Sequence, residues 1–160
     1  MERLMEHDIV QNSALGSLAL WSFVLHYYKA TGNKQGPLLP ITMIVLPLAF
    51  NKQVSTMISR KNLEGGFYSA ISEDRALYLG LQKRMESMSE QTFNAINIGF
   101  SVGLLKYDEN TSQLLPSRRT PPYQIIDEEI KTILSTSKRL GYWFATINIS
   151  QLAAILKVRF

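Results

Sequence analysis

The sequence contains no cysteine, which removes disulfides, thiolate nucleophiles and cysteine-bearing zinc sites together. That absence is compatible with a reducing cytosol, the compartment expected for the chain. Histidine is nearly as scarce. Any His-based metal centre or Ser-His-Asp triad must be built on His7 or His26. His26 lies in an aromatic-rich apolar segment and His7 near the start of the chain, so a packed and a solvated imidazole are the plain expectations. No P-loop, dinucleotide fingerprint, HExxH or GxSxG sequence occurs. The carboxylate runs Glu73-Asp74 and Asp127 to Glu129 sit where helix starts attract negative charge, and neither shares a segment with a histidine or a metal-ligand spacing. No enzyme, cofactor or metal is expected.

Long hydrophobic runs are also missing. SALGSLALWSFVL (13–25) and PLLPITMIVLPLAF (37–50) are the most apolar stretches, and both fall short of the ~20 residues a membrane span needs. Residues 1–11 (MERLMEHDIVQ) are acidic and broken by charges, unlike a secretory signal. Both apolar stretches therefore read as core, and no membrane contact is expected.

What is present is ordinary globular material: 160 residues, 46% of them hydrophobic, enough for one domain spanning 1–160 with a substantial core. The net charge of +4 permits an anionic partner without requiring one. Asn12 can cap a helix that is apolar on nearly every face and stops at Gly32, a natural left-handed residue. Residues 37–50 predict a short buried helix, with Pro40 in its first turn and Pro47 ending or kinking it. A more polar helix over 52–60 and a loop over 63–68 (LEGGFY) follow. Ser72 can cap a helix carrying Leu77, Leu81 and Met85, and Ser87 with Glu90 fits a capping box that opens another. Phe93, Ile96 and Phe100 form the apolar stripe of that second helix.

Gly103 ends it. Leu104–Tyr107 then faces Gln113–Leu115 across a polar turn, which makes a hairpin. Two helices meeting at a turn and followed by a hairpin outline a winged-helix-like unit over about 72–116. The proline-rich stretch 116–123 (PSRRTPPY) is a linker, and 124–160 is a C-terminal helical segment, with Asp127 to Glu129 opening one helix and Ser150 capping a last one. The expected fold class is mostly α, within α+β.

If the wing meets DNA, Lys83, Arg84, Lys106, Arg118 and Arg119 are the candidate phosphate contacts. The second helix, SEQTFNAINIGF, offers only Gln91, Asn94 and Asn97 as polar readers and no Lys or Arg, which favours a protein-docking role over base readout. A free-standing DNA-binding regulator stays open as the alternative. The chain ends on Lys157, Val158, Arg159 and Phe160. An apolar tail of this kind docks either on its own core or, together with the Trp143 and Phe144 region, on a partner.

The order of NSALGSLALWSF, GPLLPITMIVLPLAFNK, NIGFSVGLLKYDENTSQLLP, RLGYWFA and ILKVRF resembles the middle component of bacterial three-component ABC systems across nearly the whole chain. The resemblance implies a small non-catalytic subunit that works beside an SMC-like or Rad50-like ABC ATPase and an effector, often a nuclease, in conflict systems that include Lamassu-type anti-phage defence. It departs from the family pattern at two places: Ser13 stands where proline is usual, and the tail reads Lys157-Val158-Arg159-Phe160 instead of Gly-Val-Arg-Pro.

Overall fold

The structure, a computed structural model, describes the backbone of residues 2–160 and the side chains of residues 13–160. The chain is mostly helical with one two-stranded antiparallel sheet, the fold class expected from its sequence. Helix α1 (Glu2–Ala30) is its axis, with Leu20, Phe23 and Val24 fully buried. The stretch from Leu18 to Leu25 is apolar on nearly every face and is buried, with helices from later in the chain packed against it. Helix α1 begins at Glu2, well before the start expected from an Asn12 cap, because nothing between Glu2 and Asn12 breaks a helix. The Asn12 side-chain cap and His7 lie outside the described side chains. The expected stop holds: Gly32 takes φ +71°, its N–H meets the Lys29 carbonyl at 3.0 Å, and the Asn33 N–H meets that of Tyr28 at 2.9 Å.

The single buried helix expected over 37–50 is two, α2 (Leu39–Thr42) and α3 (Val45–Ala49). The break falls before Pro47, not at it. A continuous helix would press the Pro47 ring against the Met43 carbonyl, whereas restarting at Val45 places Pro47 in a first turn, where no N–H is needed. Helix α4 (Lys52–Ile58) follows as expected, capped by the Asn51 side chain, which accepts from the Val54 N–H at 3.2 Å. Leu39–Ala49 and Lys52–Ile58 are bent by 103° from each other, and among the described residues no single helix is long and apolar enough to cross a membrane.

The loop expected over 63–68 runs into helix α5 (Gly66–Glu73), which passes through Ser72, so Ser72 caps nothing. Asp74 takes that role, accepting from the Ala76 N–H at 2.8 Å to open a 3₁₀ turn (Arg75–Leu77). Helices α6 (Leu81–Ser87) and α7 (Ser89–Ser101) are separated only by Met88. No capping box forms between them, because the Ser87 and Ser89 hydroxyls donate backwards to the Arg84 and Glu86 carbonyls at 3.1 and 2.9 Å. Just past the end of α7 the chain turns at Gly103, with φ +77°; the Leu104 N–H bonds to the Gly99 carbonyl and that of Gly103 to Phe100.

The hairpin follows within a residue of its expected bounds, β1 (Leu105–Asp108) and β2 (Gln113–Pro116), with Leu105 opposite Pro116 and Asp108 opposite Gln113. Its outer edge is held from the α1–α2 connection. Leu38 bridges to Gln113, and the Leu114 N–H donates to the Pro37 carbonyl at 3.0 Å.

The stretch 116–123 lies along α1, pinned where the Trp21 indole Nε1–H donates to the Arg118 carbonyl at 2.9 Å. Helix α8 (Glu128–Phe144), capped by Asp127 as its charge order requires, makes the most extensive packing of any helix against α1. The last helix, α9 (Ile149–Leu156), is capped by Asn148 in a reciprocal capping box with Gln151, which displaces Ser150 into the first turn.

Candidate docking face

Helix α7 carries its bulk on the outside. The face turned to α1 is Thr92, Ala95, Ile96 and Gly99, all buried, while Phe93 is 46% exposed and Phe100 39% exposed. The cause is the distance at which the two helices cross. A Cβ on Gly16 would lie 3.1 Å from the Ala95 Cβ, and one on Gly99 would lie 3.1 Å from the Ser17 hydroxyl. Small residues on both helices bring the backbones together and leave no room for phenyl rings. The expected stripe of Phe93, Ile96 and Phe100 is thus corrected: only Ile96 is core, and the two rings, seven residues apart, share the outer side of the helix.

Phe93 forms one wall of an apolar groove of about 430 Å³. Pro40 and Met43 close it from the α2 side, Met85 from α6, and Phe160 from the chain end. The tail reaches this place because Val158 is buried and the Arg159 N–H donates to the Gln82 side-chain oxygen at 2.7 Å. Lys157 adopts the left-handed conformation that turns the chain there, φ +56°, with its ammonium 4.9 Å from the centre of the Tyr78 ring. The tail therefore docks on its own core through Val158 and presents Phe160, 40% exposed, at the groove.

Trp143 and Phe144 lie elsewhere, in the core. The Trp143 Nε1–H donates to the Leu63 carbonyl at 2.8 Å, and Phe144 is sealed between Phe23 and Phe67, so neither offers a surface to a partner. The five candidate phosphate contacts divide. Arg84 is drawn inward, its guanidinium donating to the Ala76 and Leu79 carbonyls at 3.2 and 3.4 Å, and burial lowers its pKa. Arg118 folds onto its own loop, donating to the Thr120 and Pro121 carbonyls at 2.8 and 3.3 Å. Lys83 and Lys106 are exposed on α6 and β1. Arg119 is exposed above the Tyr28 ring, with its carbon 5.8 Å from the ring centre. Nothing in the sequence marked Phe93 and Phe160 as neighbours. The signal that could have marked Phe93 as exposed was the small-residue spacing of Gly16, Ser17, Ala95 and Gly99.

His26 is half-buried on α1, and its Nδ1–H donates to the Ser22 carbonyl at 2.7 Å. Burial, the largest influence, lowers its pKa below the ordinary 6.5; the Ser22 bond opposes the shift and the Lys138 and Lys29 charges add to it. The unfolded chain therefore takes up the proton first. The stability contributed by the neutral ring is fully present above pH 6.5 and is lost as pH falls from 6.5 through the folded-state value. Denaturant midpoints of wild type should drop across this window, and those of His26→Gln should drop less; parallel pH profiles would contradict the assignment.

Among the described residues no group of three or more His, Asp or Glu is placed to hold a metal. Comparison with curated proteins and with solved structures returns no match. The sequence does match, over residues 1–160, the family described as ABC-three component (ABC-3C) system Middle Component 3; the chain belongs to that family and is a middle component of a multi-subunit system, with protein partners within it.

Proposed function

We propose that this chain is a non-enzymatic adaptor that couples an SMC-like or Rad50-like ABC ATPase, which senses DNA, to an effector nuclease in Lamassu-type anti-phage defence. The observation that carries the reading is the outer side of α7: Phe93 and Phe100 exposed, Phe93 continuous with the groove closed by Phe160, and no Lys or Arg anywhere on the helix. A helix with that composition has aromatic anchors for a protein partner and lacks the arginines and lysines that read guanine. The occupant is an apolar ridge of the ATPase or the effector.

Residues 72–116 act as a winged-helix-like unit within one domain spanning 1–160, with 116–123 as its linker. Support comes from the helix–hairpin order and from Leu38, which extends the hairpin from a segment lying between α1 and α2. The unit serves docking in this reading, whereas a free-standing DNA-binding regulator would need cations on α7.

Co-expression with the ATPase and effector of its own operon tests the adaptor role. The tagged chain should carry both through purification, and Phe93→Asp should weaken that association by about 30-fold, the loss of one interface anchor worth ~2 kcal/mol. Phage plating on cells bearing the operon should lose protection with the same variant. A wild-type chain that purifies alone would overturn the reading.

A further inference from the structure

A second concave surface lies between α1 and α8, closed on a third side by residues 119–121. Its volume is about 560 Å³, within the range of ligand-sized clefts. Lys29, Arg119, Lys138 and Arg139 line it together with His26, and none of its lining residues is acidic. None of the four cations is neutralised, for the ion pairs among the described residues are Lys61 with Glu73 and Lys131 with Glu128. Like charges gathered on one concave surface without counter-charges repel one another, and an anion entering between them relieves that repulsion.

The surface is assembled by specific bonds. The Ser22 hydroxyl donates to the Leu134 carbonyl at 3.1 Å and ties α1 to α8, and the indole of Trp21 holds the 118–121 segment in place. Arg139 is fixed by its Nε–H on the Lys61 carbonyl at 2.6 Å and by a second nitrogen on Ser135. Lys29, Lys138 and Arg119 are exposed and keep their charges toward solvent at separate points around the cleft.

We propose that this groove holds the sugar-phosphate backbone of a nucleic acid strand, with Lys29, Lys138 and Arg119 each meeting a phosphate. Phosphates recur along a strand as separate single charges, which suits separate cations around an open trough better than one compact polyanion does. Contacts of this kind position a strand and read no sequence, in keeping with the lack of Lys and Arg on α7. The site uses a different face from the apolar groove and does not rest on the adaptor reading.

Fluorescence anisotropy of the full chain with labelled oligothymidylate at low salt tests the proposal. Wild type should bind, and its log affinity should fall against log salt with a slope of about −2, three contacts at ~0.7 each for a single strand. Lys29→Glu with Lys138→Glu should weaken binding by about tenfold or more, while the charge-matched pair Arg60→Glu with Arg75→Glu, outside the groove, should weaken it far less. Lys29→Gln with Lys138→Gln should give a smaller loss in the same direction should the reversed charges disturb folding. Equal losses from the two Glu pairs would overturn the proposal, as would absence of binding by wild type at low salt. Displacement by polyglutamate as readily as by unlabelled oligonucleotide would overturn it too, and so would binding of ATP without binding of the strand. Purification of the Lys29→Glu, Lys138→Glu chain with its protein partners separates failure here from failure of the adaptor role.

Discussion

Replacing Gly141 by alanine should destabilise the chain by about 3 kcal/mol, although the same change in a solvent-exposed helix stabilises by ~1 kcal/mol. Gly141 is buried in α8 where it crosses α1. A Cβ built on it would lie 2.4 Å from the Phe23 carbonyl oxygen and 2.9 Å from the Tyr27 nitrogen. Both atoms are backbone, so no side chain can swing aside, and α8 has to move off the helix it packs against most. The displacement would also reach the Ser22 to Leu134 bond and the basic groove between the two helices. For a chain of this length each kcal/mol corresponds to ~2–4 °C, so the melting temperature should fall by about 10 °C. A melting temperature equal to or above that of wild type would show that the helices do not approach this closely.

The same close approach explains which parts of the fold are legible in the sequence. Helix ends that depend on one residue's backbone are plain: Gly32 takes the left-handed conformation expected of it, Gly103 turns the chain just past α7 in the same conformation, and Asp127 caps α8. The hairpin is legible because its turn is polar and its flanks are apolar. Caps that compete with nearby alternatives are not. Ser72, Ser87 and Ser150 satisfy the local pattern, yet Asp74 and Asn148, two positions from Ser72 and Ser150 respectively, take the role, while the Ser87 hydroxyl turns back on its own helix. The candidate site was least legible. Apolar spacing on α7 points to Phe93 and Phe100 as core, since periodicity reports that a helix has an apolar side and cannot tell whether an opposing helix has room for it. Gly16 and Ser17 decide that question from 76 or more positions away.

Phe144→Ala and Phe160→Ala should separate the two places where an aromatic near the chain end could act. The Phe144 ring is fully buried, with its centre 6.0 Å from that of Phe23 and 5.6 Å from that of Phe67, edge to face in both pairs. Its truncation opens a cavity between α1, α5 and α8 that backbone collapse cannot fill without parting those helices, and should cost about 4 kcal/mol, a large share of the 5–15 kcal/mol typical of a folded domain. Phe160 is 40% exposed at the rim of the apolar groove, so its removal should change stability by no more than ~0.5 kcal/mol. On association the order should reverse. The folded fraction of Phe144→Ala should still purify with the other subunits at unchanged stoichiometry, whereas Phe160→Ala, stable and fully folded, should lose a several-fold share of them. Urea denaturation and quantitative co-purification of both variants read the two effects independently. If Phe160→Ala instead unfolded at markedly lower urea while keeping its partners, the tail would belong to the core alone, and the docking face would reduce to the outer side of α7.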